Sequence, residues 1–282
     1  MDNAALRSIL EFYRDAGVDA AIGEEPVDRF DESKRDVARK QADQQARADA
    51  LAAQIAPPPG EAPPVIQAAQ PLHAAKGRSV EGIEAAQALA ARAQSLDELR
   101  QALEAFDGCA LKKTARRLVF SDGNPKASIM LIGEAPGREE DERGLPFVGR
   151  SGQLLDKMLA AIDLDRSSVY IGNAIYWRPP GNRTPTAEER ALCEPFIRRQ
   201  IVLAQPKVLM TLGGSALSSL FGIQGIMKTR GRTLSYEYDG LTIPSVPTLH
   251  PAALLRTPSN KRLAWQDFLA LERIIDETGA RQ

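Results

Sequence analysis

Cysteine is nearly absent from this chain, with Cys109 and Cys193 the only two in 282 residues. Two cysteines cannot build a disulfide framework, and they fit a reducing compartment. Long apolar runs are missing too. None approaches the roughly 20 residues needed to span a bilayer, and no hydrophobic leader follows Met1-Asp2-Asn3. A soluble, cytoplasmic protein without a membrane partner is expected. Neither sign of charge prevails: 36 Lys and Arg stand against 37 Asp and Glu, a net charge of −1. A nucleic-acid partner therefore leaves no mark on composition, and any basic footprint has to be local.

What is present suffices for one large α/β domain plus an appendage, since 43% of the residues are hydrophobic. Residues 1–26 read as an N-terminal amphipathic helix, with Leu6, Ile9, Leu10 and Tyr13 at helical spacing. Residues 27–78, rich in Ala and Gln and then in proline (Pro57-Pro58-Pro59, Pro63-Pro64), read as a flexible linker. The main domain is expected over 79–282. It opens on helical periods through Ile83, Ala86 and Leu89 and then Leu96, Leu99 and Leu103, with Ser95 and Glu98 as a capping box. Strands follow at 129–132, 169–174, 207–212 and 245–249, separated by helices over 152–162 and 186–203 and by a hairpin over 233–243 that turns at Asp239-Gly240. Ser259 is placed as the cap of a last helix. The alternation predicts an α/β fold: a central, mostly parallel four-stranded sheet with helices on both faces.

The stretch from 128 to 149 organises the rest. An apolar run, Ile129 to Ile132, meets Gly133, Pro136 and Gly137, which stop the strand and let backbone N–H groups approach a ligand. Glu134, Glu139, Glu140 and Asp141 then bring carboxylates beyond the carboxyl ends of the strands, where parallel sheets keep their sites. Gly213-Gly214-Ser215, straight after a strand, suits either a tight βα turn or a helix N-terminus that takes a phosphate.

Gly133-Glu-Ala-Pro-Gly137 with Gly144-Leu-Pro-Phe-Val-Gly149, then Asn173 to Arg183, then His250-Pro-Ala-Ala-Leu-Leu-Arg256, occur in the order and spacing of uracil-DNA glycosylase motifs. Over residues 95–276 the chain resembles that superfamily, most closely its fourth, thermophile-type family. The resemblance implies an α/β/α sandwich, DNA containing uracil as partner, single- or double-stranded, and hydrolysis of the N-glycosidic bond of a flipped-out base. It implies further that Phe147 stacks on uracil beside Ala135, that the Asn173 amide reads its N3–H and O4 edge, and that His250 stabilises charge growing on O2. Glu140 is favoured over Glu134 for orienting the water. In the best-known glycosylase family an aspartate stands where this chain has Ala135. Asn182, Arg183, Gly213, Ser215, Leu254, Leu255 and Arg256 are expected to meet DNA, the leucines as a wedge and the arginines on phosphate.

The fourth family usually carries a four-iron, four-sulfur cluster on four cysteines. Cys109 and Cys193 match the first and last ligand, whereas Lys112 and Trp177 stand at the other two. No metal or other cofactor is therefore expected, the cysteines being remnants of the site. A monomer is expected. Two other readings stay open: a module that binds uracil or abasic DNA without turnover, and a nucleoside-directed hydrolase on the same sheet.

Overall fold

The computed structural model describes residues 73–281. The helix expected within 1–26 and the linker up to residue 72 lie outside the described residues. The first helix, α1 (His73–Arg92), begins inside the stretch read as linker, ahead of the boundary drawn at 79. α2 (Leu96–Ala105) is capped as expected, the Ser95 hydroxyl accepting from the Glu98 N–H at 3.1 Å. The Glu98 carboxylate reaches one residue further back than a closed box requires, to the Gln94 N–H at 2.7 Å.

The order continues with β1 (Ser121–Gly123), β2 (Ile129–Gly133), α3 (Arg138–Arg143), α4 (Arg150–Ala160), β3 (Tyr170–Asn173), α5 (Ala187–Ala204), β4 (Val208–Leu212) and α6 (Gly214–Phe221). Then come α7 (Ile226–Thr229), β5 (Leu234–Tyr238), β6 (Leu241–Thr248), α8 (Pro251–Arg256) and α9 (Lys261–Thr278). Ser259 does not cap α9. It lies in the 3-10 turn Pro258–Asn260 that precedes the helix.

Six strands make one sheet in the order β1-β3-β2-β4-β6-β5. The inner four are mutually parallel and form the expected centre; β1 and β5 add antiparallel edges. β1 is Ser-Asp-Gly, with no apolar residue to announce a strand. The hairpin turn comes where expected, Asp239 and Gly240 both holding the positive φ (51° and 78°) of a two-residue turn.

β6 runs unbroken through Pro244, where two segments were expected. Its two sides are paired over different halves: β5 takes Leu241 to Ser245 and β4 takes Ser245 to Thr248. Pro244 thus has no partner on β4 and Pro247 none on β5, so each missing N–H falls where a ladder is absent.

The inner strands are buried on both faces where they pair in parallel, β6 only from Ser245 to Thr248. Ile129 and Leu131 of β2 pack with Leu155, Phe268 and Leu271 beneath α4 and α9. Met130 and Ile132 enter the opposite core with Leu99, Leu103, Phe196 and Ile197 from α2 and α5. A buried chain of hydroxyls and amide, Tyr176 to Gln200 to Tyr170 at 2.8 Å each, fastens α5 to β3. Because Gly133 is level with Asn173 and Leu212 with Thr248, the loops after all four inner strands open along one rim.

Candidate active site

The loop after β2 is shaped by close approach. A Cβ on Gly133 would lie 2.4 Å from Asn173 Oδ1 and 2.6 Å from a Phe147 ring carbon, so only glycine lets these two side chains meet. Phe147 is buried and holds a left-handed backbone, φ 54°. Three groups fix it. A Cβ on Gly152 would fall 1.6 Å from the Phe147 carbonyl oxygen, so α4 can pass under the loop only at a glycine. The Arg166 guanidinium donates to that oxygen and, at 3.3 Å, to the Pro146 carbonyl. Glu140 completes the clamp: its Oε1 accepts from the Val148 and Gly149 N–H groups at 3.0 Å each, and its Oε2 from the Gly137 N–H at 3.1 Å.

Glu140, favoured from sequence for orienting the water, is thus the residue that makes this clamp. The side chain is buried, and both oxygens already serve backbone donors. Glu134, half-buried on the same cavity, has a carboxylate with no hydrogen bond or ion pair among the described residues.

His250 ends the strand path of β6 and caps α8, Nδ1 accepting from the Ala252 N–H at 3.1 Å. Its ring stacks on Phe147, centroids 5.5 Å apart and planes 29° apart. The two rings touch, so a third ring does not fit between them. Burial, helped by the nearby Arg256 charge and opposed by Glu140, pushes the imidazole down to about 4. The ring is therefore neutral at pH 7, and with Nδ1 accepting, its proton sits on Nε2. Gly213 backs this arrangement: a Cβ there, at φ 98°, would lie 2.9 Å from the His250 Cβ. A buried pairing holds the strand just upstream, Asp267 on α9 accepting from Thr248 Oγ1 at 2.8 Å and from Arg230 at 2.6 and 3.0 Å.

Asn173, at the end of β3, is 2% exposed, and its amide makes no side-chain hydrogen bond among the described residues. An amide open to a cavity and without a protein partner keeps both its donor and its acceptor for a ligand. Asn173 lines a cavity of about 800 Å³ together with Glu134, Ala135, Glu140, Phe147, His250, Leu255 and Arg256.

Most of the residues singled out from sequence meet at this cavity, and some do not. Asn182 and Arg183 line it but are engaged: Asn182 Oδ1 accepts from Arg178 at 2.7 Å, and Arg183 grips Glu189 with two bonds of 2.6 and 2.9 Å. That pairing raises Arg183 and lowers the Glu189 carboxyl. Leu254, expected from sequence as part of the wedge, does not line the cavity. It is 1% exposed and packs inward on Leu249 and Ala264, leaving Leu255, 37% exposed, as the apolar tip. Gly213 and Ser215 do not line the cavity. Arg138 and Arg150 do, exposed and unpaired among the described residues like Arg256. Sequence reading passed over these two, although each directly follows a motif glycine and opens a helix.

Cys109 and Cys193 are buried and hydrogen-bonded to each other, which together with burial holds the Cys193 thiol well above its ordinary pKa. The Lys112 ammonium reaches the carbonyls of Glu104 (2.5 Å) and Phe106 (3.2 Å) and the Asp107 carboxylate (2.7 Å). Trp177 is buried edge-on against Tyr176, centroids 6.3 Å apart. These residues do not fit a four-thiolate cluster: the chain has two cysteines, and the side chains at the other two ligand positions cannot be thiolates.

The model of the Uracil DNA glycosylase superfamily matches residues 120–269. A type-4 uracil-DNA glycosylase of Sulfurisphaera tokodaii is 37% identical over 64% of this chain and 84% of its own. One of Archaeoglobus fulgidus is 38% identical over 62% and 90%. One of Thermotoga maritima is 37% identical over 67% and 98%. The matched span contains the whole rim of the cavity, and the chain belongs to the uracil DNA glycosylase superfamily.

Proposed function

We propose that this enzyme, a uracil-DNA glycosylase of base excision repair by family, hydrolyses its bond through Asn173, His250 and Glu134 and without an iron–sulfur cluster. The observation that carries the reading is the Asn173 amide, which lines the cavity without a protein partner among the described residues, beside an imidazole that is neutral. A flipped uracil enters the cavity and packs against the Phe147 loop. The Asn173 side chain donates to O4 and accepts from N3–H, a pattern that cytosine inverts. As the bond between C1′ and N1 lengthens, its electron pair moves onto the base. Nε2–H of His250 donates to O2, where the charge collects. Water adds to C1′, and the proton it gives up passes through solvent to the departed uracil anion, leaving an abasic site and neutral uracil.

Glu134 suits the sugar side better than Glu140, because its oxygens are not spent on backbone donors. There it stabilises the cationic sugar and orients the water. Glu140 acts at one remove, by holding the Phe147 loop. Leu255 fills the space that the base vacates, and Arg138, Arg150 and Arg256 face phosphates of single- or double-stranded DNA. The working unit is a monomer in the cytoplasm, with no membrane partner. Incubation with a uracil-containing oligonucleotide followed by alkali tests the reading: strand cleavage is expected, whereas a gel shift without cleavage makes the protein a binding module.

A further inference from the structure

A second cavity, of about 690 Å³, opens at the far end of α3. Arg138 of the first turn lines the first cavity, while Arg143 and Gly144 line the second. Its walls carry five cations, Arg100, Lys112, Arg116, Arg117 and Arg143, against a single carboxylate, Glu104. Arg100 is paired with Glu104 at 3.2 Å, and Lys112 is spent on Asp107 and two carbonyls. Arg116, Arg117 and Arg143 are exposed, with no ion pair or side-chain hydrogen bond among the described residues. In a chain of net charge −1, three unpaired guanidinium groups around one cavity focus a positive potential that an anion satisfies.

Their placement relative to the first cavity is fixed. Asp141, buried on α3, accepts from the backbone N–H groups of Arg116 (2.8 Å) and Arg117 (3.2 Å). The neighbouring Glu140 straps the Phe147 loop to the same helix. From Arg138 to Arg143 the helix advances about 7.5 Å at 1.5 Å per residue, comparable to the separation of neighbouring phosphates along one strand. A strand leaving the first cavity along α3 meets these arginines about one to two nucleotides on.

We propose that this groove is a second phosphate-binding site, which takes the backbone of the strand whose nucleotide is flipped into the first cavity. The proposal rests on the reading of the first cavity as a nucleotide site in DNA. Such contacts hold register and carry no sequence information, as suits an enzyme whose target base occurs in any context.

The test uses the full chain with Arg116→Gln, Arg117→Gln and Arg143→Gln combined, and with Arg116→Gln and Arg143→Gln singly in case the triple variant unfolds. Affinity for a uracil-containing oligonucleotide is read by fluorescence anisotropy between about 50 and 200 mM salt, beside single-turnover excision at saturating DNA. The triple variant is expected to lower the log–log salt slope by about 2–3, at roughly 0.7–0.9 per lost contact, and each single variant by about one unit. The excision rate at saturation stays at the parent value. Truncating the oligonucleotide within two nucleotides of the uracil, on one side only, removes the difference between parent and variant. Equal slopes in parent and variants overturn the proposal while leaving the glycosylase reading intact. So does a groove whose arginines bind an acidic peptide but leave the DNA slope unchanged. A parent that excises no uracil defeats the glycosylase reading itself, and this proposal with it.

Discussion

His250 is set by its immediate neighbours. The Ala252 N–H occupies Nδ1, burial and Arg256 disfavour a second proton, and Glu140 favours it too weakly to restore the ordinary value. The folded imidazole titrates at about 4 against a reference of 6.5, so between those values the unfolded chain binds a proton that the folded chain does not. This group's contribution to stability is complete above pH 6.5, is lost as pH falls towards 4, and changes no further below. An NMR titration of the two histidines is expected to find His250 near 4, and a midpoint near 6.5 contradicts the account. Glu134 and Glu140 separate by the same logic. Glu134→Gln is expected to slow excision by about 10²-fold or more with little change in Tm, whereas Glu140→Gln lowers Tm by loosening the 144–149 loop. Reversed effects in paired rate and melting measurements return the water to Glu140. Asn173 and His250 were legible because their residue types stand at strand ends within motifs. The clamp of Glu140 was not, because its partners Val148 and Gly149 lie eight and nine residues along the chain, across a turn that only the fold closes.

Elements carry the next level of control. The parallel centre could be read from short apolar runs, since β2 and β4 are buried at every position. β1 could not, because an edge strand of Ser-Asp-Gly pairs through its backbone alone. In β6 the prolines read as a break, and only the offset between its two ladders allows one continuous strand. The turn after α2 is tied down by one side chain. Lys112 gathers two carbonyls and a carboxylate at the C-terminal end of α2, where a cation also meets the helix dipole. Lys112→Met removes these bonds and is expected to destabilise the fold by roughly 1–2 kcal/mol, measured by denaturant titration. An unchanged midpoint means the turn stands without the lysine.

Across the whole molecule, charges sum to nearly zero while the described cavities are rimmed by arginines. Composition hid this local field because the acids are drawn elsewhere, into clamps and pairs such as Asp141, Asp267 and Glu189. The matched family span, 120–269, lies wholly within the described residues. A fragment of residues 73–282, which keeps α1 whole, is therefore expected to excise uracil at the rate of the full chain; a folded but inactive fragment gives residues 1–72 a part in the reaction. The central claim is that His250 acts only on charge that forms as the bond breaks. Its most direct test is single-turnover excision by His250→Ala, measured beside affinity for the same uracil-containing DNA. The account predicts a rate lower by about 10²–10³-fold, as for loss of one oxyanion donor, with affinity nearly unchanged. Excision at the parental rate, or a loss that lies wholly in affinity, contradicts it.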